Sequence, residues 1–407
     1  MSAEATTRTA AADGRRLPLG VYLLSFSLLA MGSAEFLVAG VLPAIAKDLH
    51  ITLPAAGALI TAFAIAVVIG GPPMAVLTLR WPRRTTLVVT QLLFAAAVAV
   101  SLLVDDYAVI LVARFVCGIA YAGFWAVAAV TAISLVPPER TARASGVVVS
   151  GLSIAMIAGG PASALLSYYT GWRGGFWAVF ALTVIGALLT AAAVPATKSA
   201  VEPGVRSELR AMKQPRLYAV YAATLLSTAS YMITYNYLAP LLTDVTGLGA
   251  VWVPAVLTLF GIGAFVGLSI GGRIADARPF HALLIGAIGI AVCSVLLALL
   301  AEYDVLVIVI VLLMGVSGFV LNPAIYGRVF TLASQAPTLA GSTAVSMFQL
   351  GISLVPVFAG IALSAGASFT AIPWIGAVIA VLTIPAILVD RTITRRTTAS
   401  AAVDHES

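Results

Sequence analysis

Twelve long apolar segments are the feature that most constrains the fold of this chain. Each is long enough to cross a bilayer as a helix, which satisfies its backbone polar groups without water. Of the 407 residues, 61% are hydrophobic and only 9% are charged, so a soluble domain could not bury this apolar surface. We predict an all-α membrane protein with twelve transmembrane helices. They cover approximately residues 18–43, 53–79, 85–104, 107–136, 143–168, 174–195, 217–242, 251–275, 279–301, 304–330, 338–365 and 369–389.

One long polar segment, Pro195–Arg216, divides the apolar segments six and six. Its basic and amphipathic character is typical of a helix that lies on the membrane surface. Polar chain ends of this composition favour disorder. The predicted organisation is a disordered cytoplasmic N-terminus at 1–16, an N-terminal six-helix bundle at 17–195, a cytoplasmic linker at 196–216, a C-terminal six-helix bundle at 217–390 and a cytoplasmic tail at 391–407.

The positions of the basic residues predict the orientation. With a cytoplasmic N-terminus, 19 of the 22 Lys and Arg residues fall on the cytoplasmic side, the exceptions being Lys47, Arg114 and Arg173. An excess of Lys and Arg marks the cytoplasmic loops of membrane proteins. We therefore expect a multi-pass protein of the bacterial inner (cytoplasmic) membrane with both termini inside. The opposite side collects the acids Asp48, Asp105, Asp106, Asp244, Glu302 and Asp304.

The two halves of the chain also repeat. The loop after the second apolar segment reads AVLTLRWPRR at 75–84, and the matching loop after the eighth reads GRIADARP at 272–279. Two related six-helix halves around a central cavity are a common plan for secondary transporters.

These loops resemble the signature G-x-L-A-D-R-x-G-R-R of the major facilitator superfamily, and the chain resembles its twelve-span drug/proton antiporters. The resemblance implies that the loops gate the cytoplasmic side of the cavity. The second loop keeps Gly272 and Asp276 of this pattern. The first keeps Arg80, Arg83 and Arg84 but has Ala75, Leu79 and Pro82 where Gly, Asp and Gly are expected, so these arginines have the alternative role of setting topology alone.

Three further motifs support the resemblance. The fourth span contains R-x-x-x-G as Arg114 to Gly118, and the fifth contains Gly160-Pro161, which in the antiporters lets two helices pack closely and bend. The first span reads E-F-x-x-x-G-x-L-P from Glu35 to Pro43, which resembles exporters of arabinose, nucleosides and chloramphenicol.

Glu35 and Arg114 are the candidate proton-coupling residues. Each lies eight residues inside a span end, Pro43 or Asp106, on the predicted outer side, and so about 12 Å deep in the same layer. Burial favours the neutral acid, whereas a nearby guanidinium favours the carboxylate, so a change of conformation would exchange a proton. The alternatives are a structural Glu35–Arg114 pair, or an arginine satisfied by backbone carbonyls.

Several uncharged polar and aromatic residues are candidates for substrate binding. Tyr121 and Trp125 follow Arg114 on one helical face and lie too deep for the interfacial aromatic belt. The alternative for all of the candidates is ordinary helix packing, with polar contacts between helices. The full predicted set is Tyr121, Trp125, Tyr231, Tyr235, Asn236, Asn322 and Gln349.

The predicted function is proton-coupled efflux of small neutral or weakly polar drugs, chloramphenicol-like, by alternating access. A single deep acid disfavours multiply cationic drugs. Export of sugars or nucleosides is the alternative. The scattered His and Cys residues indicate no metal site, and no phosphate-binding loop is present. We expect no enzymatic activity, no cofactor and no nucleic-acid partner, and a monomer in the lipid bilayer whose partners are protons and a small-molecule drug.

Overall fold

The computed structural model describes residues 17–78, 81–137, 140–195, 214–333 and 337–406. Within these ranges it contains twelve membrane-length apolar helices and no strand, which confirms the predicted fold class. Spans 1 to 4 and span 6 are Leu19–Asp48, Leu53–Thr78, Arg83–Leu103, Tyr107–Ser134 and Trp172–Ala193. Span 5 consists of Thr141–Ile154, a π-helical turn at Ala155–Gly159, and Gly160–Thr170.

The second half of the chain has the same number of spans. Span 7 consists of Pro215–Asn236, Leu238–Pro240 and a π-helical turn at Leu241–Val245. Span 8 is Val253–Ala277 after a 3₁₀ turn at Ala250–Trp252, and span 9 is Pro279–Leu299. Span 10 consists of Asp304–Val320 and Asn322–Leu332, and spans 11 and 12 are Pro337–Ser364 and Ala371–Glu406.

The last helix continues as far as Glu406, whereas the sequence predicts its apolar part to end near residue 389. No glycine or proline interrupts residues 390–406, so nothing in the sequence stops the helix where its apolar part ends. The predictions for 1–16, for the linker between 196 and 213 and for Arg80 fall outside the described residues.

Three spans are interrupted where a proline displaces the helical hydrogen bonds. A proline clashes with the carbonyl four residues earlier and donates no hydrogen bond to it. Pro161 follows the π-helical turn of span 5, Pro240 follows the end of the first helical segment of span 7 at Asn236, and Pro323 follows the break in span 10 at Leu321. These breaks place irregular backbone in the middle or outer part of three spans.

The two halves pack by the same plan. In the N-terminal half, span 2 packs on span 4, and span 3 packs on spans 4 and 6. In the C-terminal half, span 8 packs on span 10, and span 9 packs on spans 10 and 12. The agreement extends to single residues. A Cβ atom on Gly118 of span 4 would overlap the carbonyl oxygen of Phe63, and one on Gly315 of span 10 would overlap the carbonyl oxygen of Phe260. The structure therefore contains the two pseudo-repeats that the loops predict.

The most extensive contacts between the halves are those of span 2 with span 11 and of span 5 with span 8. In the first pair, Thr61 Oγ1 donates a hydrogen bond to the Ser353 carbonyl at 3.1 Å. In the second, Gly261 lies against the backbone of Ile157. We call the end of the molecule with Asp48, Asp105, Asp244 and Glu302 the acidic face, and the end with Arg83, Arg84, Arg273 and Arg278 the basic face.

The equivalent glycines generate a test of the repeat. We expect Gly118→Ala and Gly315→Ala each to lower the unfolding temperature in detergent, because a methyl group at either site meets backbone that cannot move alone. Overpacking of this kind costs about 1–3 kcal/mol. Gly327→Ala is the matched control, since nothing lies within 4 Å of a Cβ atom there. Equal unfolding temperatures for all three variants would contradict the proposed helix contacts.

Candidate functional site

Glu35 lies on span 1 where the two halves meet. Its Oε1 atom accepts a hydrogen bond of 3.0 Å from Nε2 of Gln349 on span 11. Gln349 is only 2% exposed and Glu35 is half-buried. An acid of the N-terminal half is thus bonded to an amide of the C-terminal half inside the membrane-spanning region.

Arg114 is buried, with 4% of its surface exposed, and its guanidinium contacts backbone rather than an acid. Its Nη1 atom donates to the Ala34 carbonyl at 3.4 Å, and its Nε atom donates to the Leu59 carbonyl at 3.5 Å. The guanidinium also lies over the Phe63 ring, 4.8 Å from the ring centre. A cation placed over an aromatic ring is attracted by the negative ring face.

No ion pair joins Glu35 to Arg114 among the residues that the structure describes. The ion pairs found there are those of Arg173 with Asp48 and Asp105, and of Arg328 with Asp390. Arg114 nevertheless reaches the level of Glu35, since Ala34 directly precedes it. The geometry favours the alternative in which backbone carbonyls satisfy the arginine.

Tyr231 and Tyr235 belong to an aromatic cluster that sequence reasoning found only in part. The Tyr235 ring lies 4.7 Å from that of Phe260 on span 8 and 6.2 Å from that of Phe36 on span 1. The Tyr231 ring lies 5.3 Å from that of Phe319 on span 10. Phe36 and Phe260 were missed because apolar aromatic residues in membrane spans have no distinguishing pattern.

Several buried polar atoms of spans 7 and 11 have no hydrogen-bond partner among the residues that the structure describes. Asn236 and Tyr237 lie at the break in span 7, where the helix ends before Pro240. Tyr235 and Tyr237 are each 1% exposed and Asn236 is 5% exposed. Unpartnered polar atoms in a native interior require an explanation such as a ligand or water. The atoms concerned are Thr234 Oγ1, Tyr235 Oη, Asn236 Nδ2, Tyr237 Oη, Ser346 Oγ and Gln349 Oε1.

The other predicted substrate residues lie on spans 4 and 10. Tyr121 is buried and packs on Phe63 with 5.4 Å between ring centres. Trp125, one turn further along span 4, is half-buried, and so is Asn322 at the start of the second segment of span 10. The structure thus brings Glu35 together with Gln349 and gathers Tyr231 and Tyr235 into the aromatic cluster.

The residues predicted to gate the cavity fall into two groups. Gly160 packs span 5 onto span 1, because a Cβ atom there would lie 2.7 Å from Cβ of Phe36, and Pro161 is buried beside it. At the basic face, Arg83 is buried and Arg84 is half-buried. Gly272 has open space around it, and Asp276 lies on the helix of span 8 with its side chain outside the description.

A second buried acid, Asp390, was not predicted. It is 2% exposed and forms an ion pair with Arg328, whose Nη2 atom lies 2.6 Å from Asp390 Oδ1. Arg328 also lies over the Phe280 ring of span 9, with 4.4 Å to the ring centre. Unlike Glu35, this acid is neutralised within its own half of the molecule.

The geometry defines a twelve-helix membrane protein with two pseudo-symmetric halves and a half-buried acid between them. Residues 24–356 match the family Major Facilitator Superfamily. A chloramphenicol resistance protein of Streptomyces lividans is 38% identical over 347 residues, which cover 84% of this chain and 88% of that protein. The inner membrane transport protein YdhP of Escherichia coli (strain K12) is 30% identical, with coverage of 88% and 92%.

A solved structure agrees on the fold. The nucleoside transporter NupG superposes with a TM-score of 0.72 and 14% sequence identity, covering 91% of this chain and 99% of that chain. The chain belongs to the Major Facilitator Superfamily.

The surroundings of Arg114 generate a prediction about stability. We expect Arg114→Ala to lower the unfolding temperature in detergent more than Glu35→Gln, because it removes two buried hydrogen bonds and the contact with the Phe63 ring and leaves a cavity. A hydrogen bond from a charged group contributes about 1.5–3 kcal/mol. Arg173→Ala is the control, since Asp105, one of its partners, is 93% exposed and surface ion pairs contribute about 0–1 kcal/mol. An equal effect of Arg114→Ala and Arg173→Ala would contradict this role.

Proposed function

We propose that this protein exports small neutral or weakly polar drugs of the chloramphenicol type in exchange for protons. One observation supports this most directly: Glu35 is bonded across the two halves, with Gln349 as its partner. A change in the charge of this acid acts directly on a contact between the parts that move in alternating access.

The coupling follows from the cost of charge inside the membrane. An ionised acid in a membrane span costs about 3 kcal/mol, and Arg114 does not pair with Glu35 directly to offset it. Glu35 is therefore favoured in its protonated form when the halves enclose it, and in its ionised form when water reaches it. With the basic face in the cytoplasm of a bacterium, a proton taken up outside and released inside would drive export.

The choice of substrate rests on two arguments. The unpartnered hydroxyl and amide groups of Tyr235 and Asn236 are neutral and lie beside aromatic rings, which suits a neutral ligand with an aromatic ring and hydroxyl groups. The similar Streptomyces lividans protein is named for chloramphenicol resistance. The same neutral groups would also bind the hydroxyls of a sugar or nucleoside.

Transport in inverted vesicles tests the proposal. We expect labelled chloramphenicol to accumulate when a proton gradient, acidic inside, is imposed, and to leave when the gradient is collapsed. Glu35→Gln should reduce this accumulation to the level of empty vesicles, because it keeps the side-chain volume and removes ionisation. Glu302→Gln is the matched control: it makes the same chemical change at an exposed position on the acidic face and should transport normally.

Two outcomes would overturn parts of the proposal. Gradient-driven accumulation by Glu35→Gln would show that another group couples the proton. Absence of accumulation by folded wild-type protein would exclude chloramphenicol, and labelled nucleosides and sugars would then be tested in the same vesicles.

The hydroxyl of Tyr235 generates a separate prediction. Tyr235→Phe removes one unpartnered buried oxygen and leaves the ring contacts with Phe36 and Phe260 in place. If this hydroxyl binds the drug, the KM for export should rise about three- to tenfold, the value of one hydrogen bond, with an unchanged or higher unfolding temperature. Tyr168→Phe, at an exposed tyrosine, should leave KM unchanged. An unchanged KM in Tyr235→Phe would remove Tyr235 from the binding site.

A further inference from the structure

One face of span 11 forms a continuous seam with the N-terminal half. The seam consists of residues 346, 349, 353, 356 and 360, which recur every three or four residues and so share one side of the helix. Most of its contacts are between small groups: Gly71 with Ser346, Thr61 with the Ser353 carbonyl, Gly57 with Pro356, and Pro54 with Gly360. Gln349 is the one member whose side chain bonds to an acid.

The Gln349 amide has two ends, and only one of them is used in the structure. Nε2 donates to Glu35, but the buried Oε1 atom has no partner in the described part of the chain. An ionised Glu35 can accept the Nε2 hydrogen bond but has no proton to give to Oε1. A protonated Glu35 can do both, because its carbonyl oxygen accepts from Nε2 while its O–H group donates to Oε1.

We propose that Glu35 and Gln349 form a two-bond carboxyl–amide bridge that holds spans 1 and 11 together when Glu35 is protonated. Gln349 is then a positioning residue, because it acts through Glu35. The second hydrogen bond of the bridge, from the Glu35 carboxyl proton to Gln349 Oε1, forms only when Glu35 is protonated. This inference rests on the proposed role of Glu35 in proton coupling.

Loss of the proton breaks one bond of the bridge and leaves a carboxylate beside an unpartnered oxygen. The remaining seam contacts are one hydrogen bond, from Thr61 to the Ser353 carbonyl, and packing of small side chains and prolines, which has little directional preference. Protonation therefore favours the closed seam between spans 1, 2 and 11. Deprotonation favours opening at the acidic face, because Glu35 lies closer to the acidic end of span 1 than to its basic end.

Other titratable or charged groups near Glu35 belong to spans 4 and 7, and their positions limit what they can do. Spans 2 and 11 contribute no titratable side chain to the described part of the seam. Arg114 contacts backbone carbonyls rather than Glu35. The other groups are a thiol and phenols, which are neutral acids of much weaker acidity than a carboxyl group. The groups concerned are Arg114, Cys117 and Tyr121 of span 4, and Tyr231, Tyr235 and Tyr237 of span 7.

Distance measurements between spin labels test the bridge without drug or a gradient. Labels on Lys47→Cys and Ser364→Cys report the separation of spans 1 and 11 at the acidic face, where both positions are exposed. Protein without the two introduced cysteines gives the background from buried Cys117 and Cys293. In lipid nanodiscs, we expect the wild type to show a short distance at acidic pH and a growing long-distance population as the pH rises.

The variants separate the bridge from a structural role. Glu35→Gln should keep the short distance at every pH, because two amides can also form two hydrogen bonds. Gln349→Leu should lower the short-to-long ratio at acidic pH at least about tenfold, the value of the two hydrogen bonds that it removes, and flatten its pH dependence. Ser353→Ala, whose hydroxyl bonds within span 11, should behave as wild type. If Gln349→Leu does not fold, Gln349→Met replaces it.

Infrared difference spectra give an independent readout. The carbonyl band of protonated Glu35, identified by its loss in Glu35→Gln, should shift to higher frequency in Gln349→Leu because the acid loses its partner. An unshifted band, or a Gln349→Leu distance distribution that matches the wild type across pH, would overturn the bridge. Vesicle uptake is measured separately, so a failure of drug transport with a pH-dependent bridge would reject the proposed export and retain the bridge.

Discussion

The cost of burying charge among membrane helices governs this structure, and the chain meets it in three ways. Arg114 is satisfied by backbone carbonyls and by the Phe63 ring. Asp390 is neutralised by Arg328. Glu35 has only an amide partner, on the opposite half. The first two solutions each involve an arginine, which does not lose its proton. The third allows a change of charge, and it is the one that lies between the halves.

Much of the architecture could be predicted because lipid imposes simple rules on sequence. Twelve apolar segments of sufficient length gave twelve helices, and the repeated loops indicated two similar halves. The equivalent contacts of Gly118 with Phe63 and of Gly315 with Phe260 show the repeat at residue level. The breaks at Asn236 and Leu321 were not predicted, although Pro240 and Pro323 were signals for them.

The site was less accessible to sequence reasoning. Glu35 and Arg114 stood out as ionisable residues in apolar segments, but their partners did not. A carbonyl oxygen has no sequence signal, because every residue has one. Gln349 is 314 positions from Glu35 and was identified only as a candidate substrate-binding residue. Pairing across such a separation depends on how the halves are joined, which local patterns do not encode.

The ion pair of Arg328 with Asp390 has a consequence for biogenesis. The ribosome completes span 10 before span 12, so Arg328 enters the membrane region before its partner has been made. Until then the guanidinium must remain near the basic face or rely on the Phe280 ring. The packing of spans 10 and 12 at this site is therefore completed only after residue 390 has been made, and a chain that ends earlier would retain an unneutralised cation there.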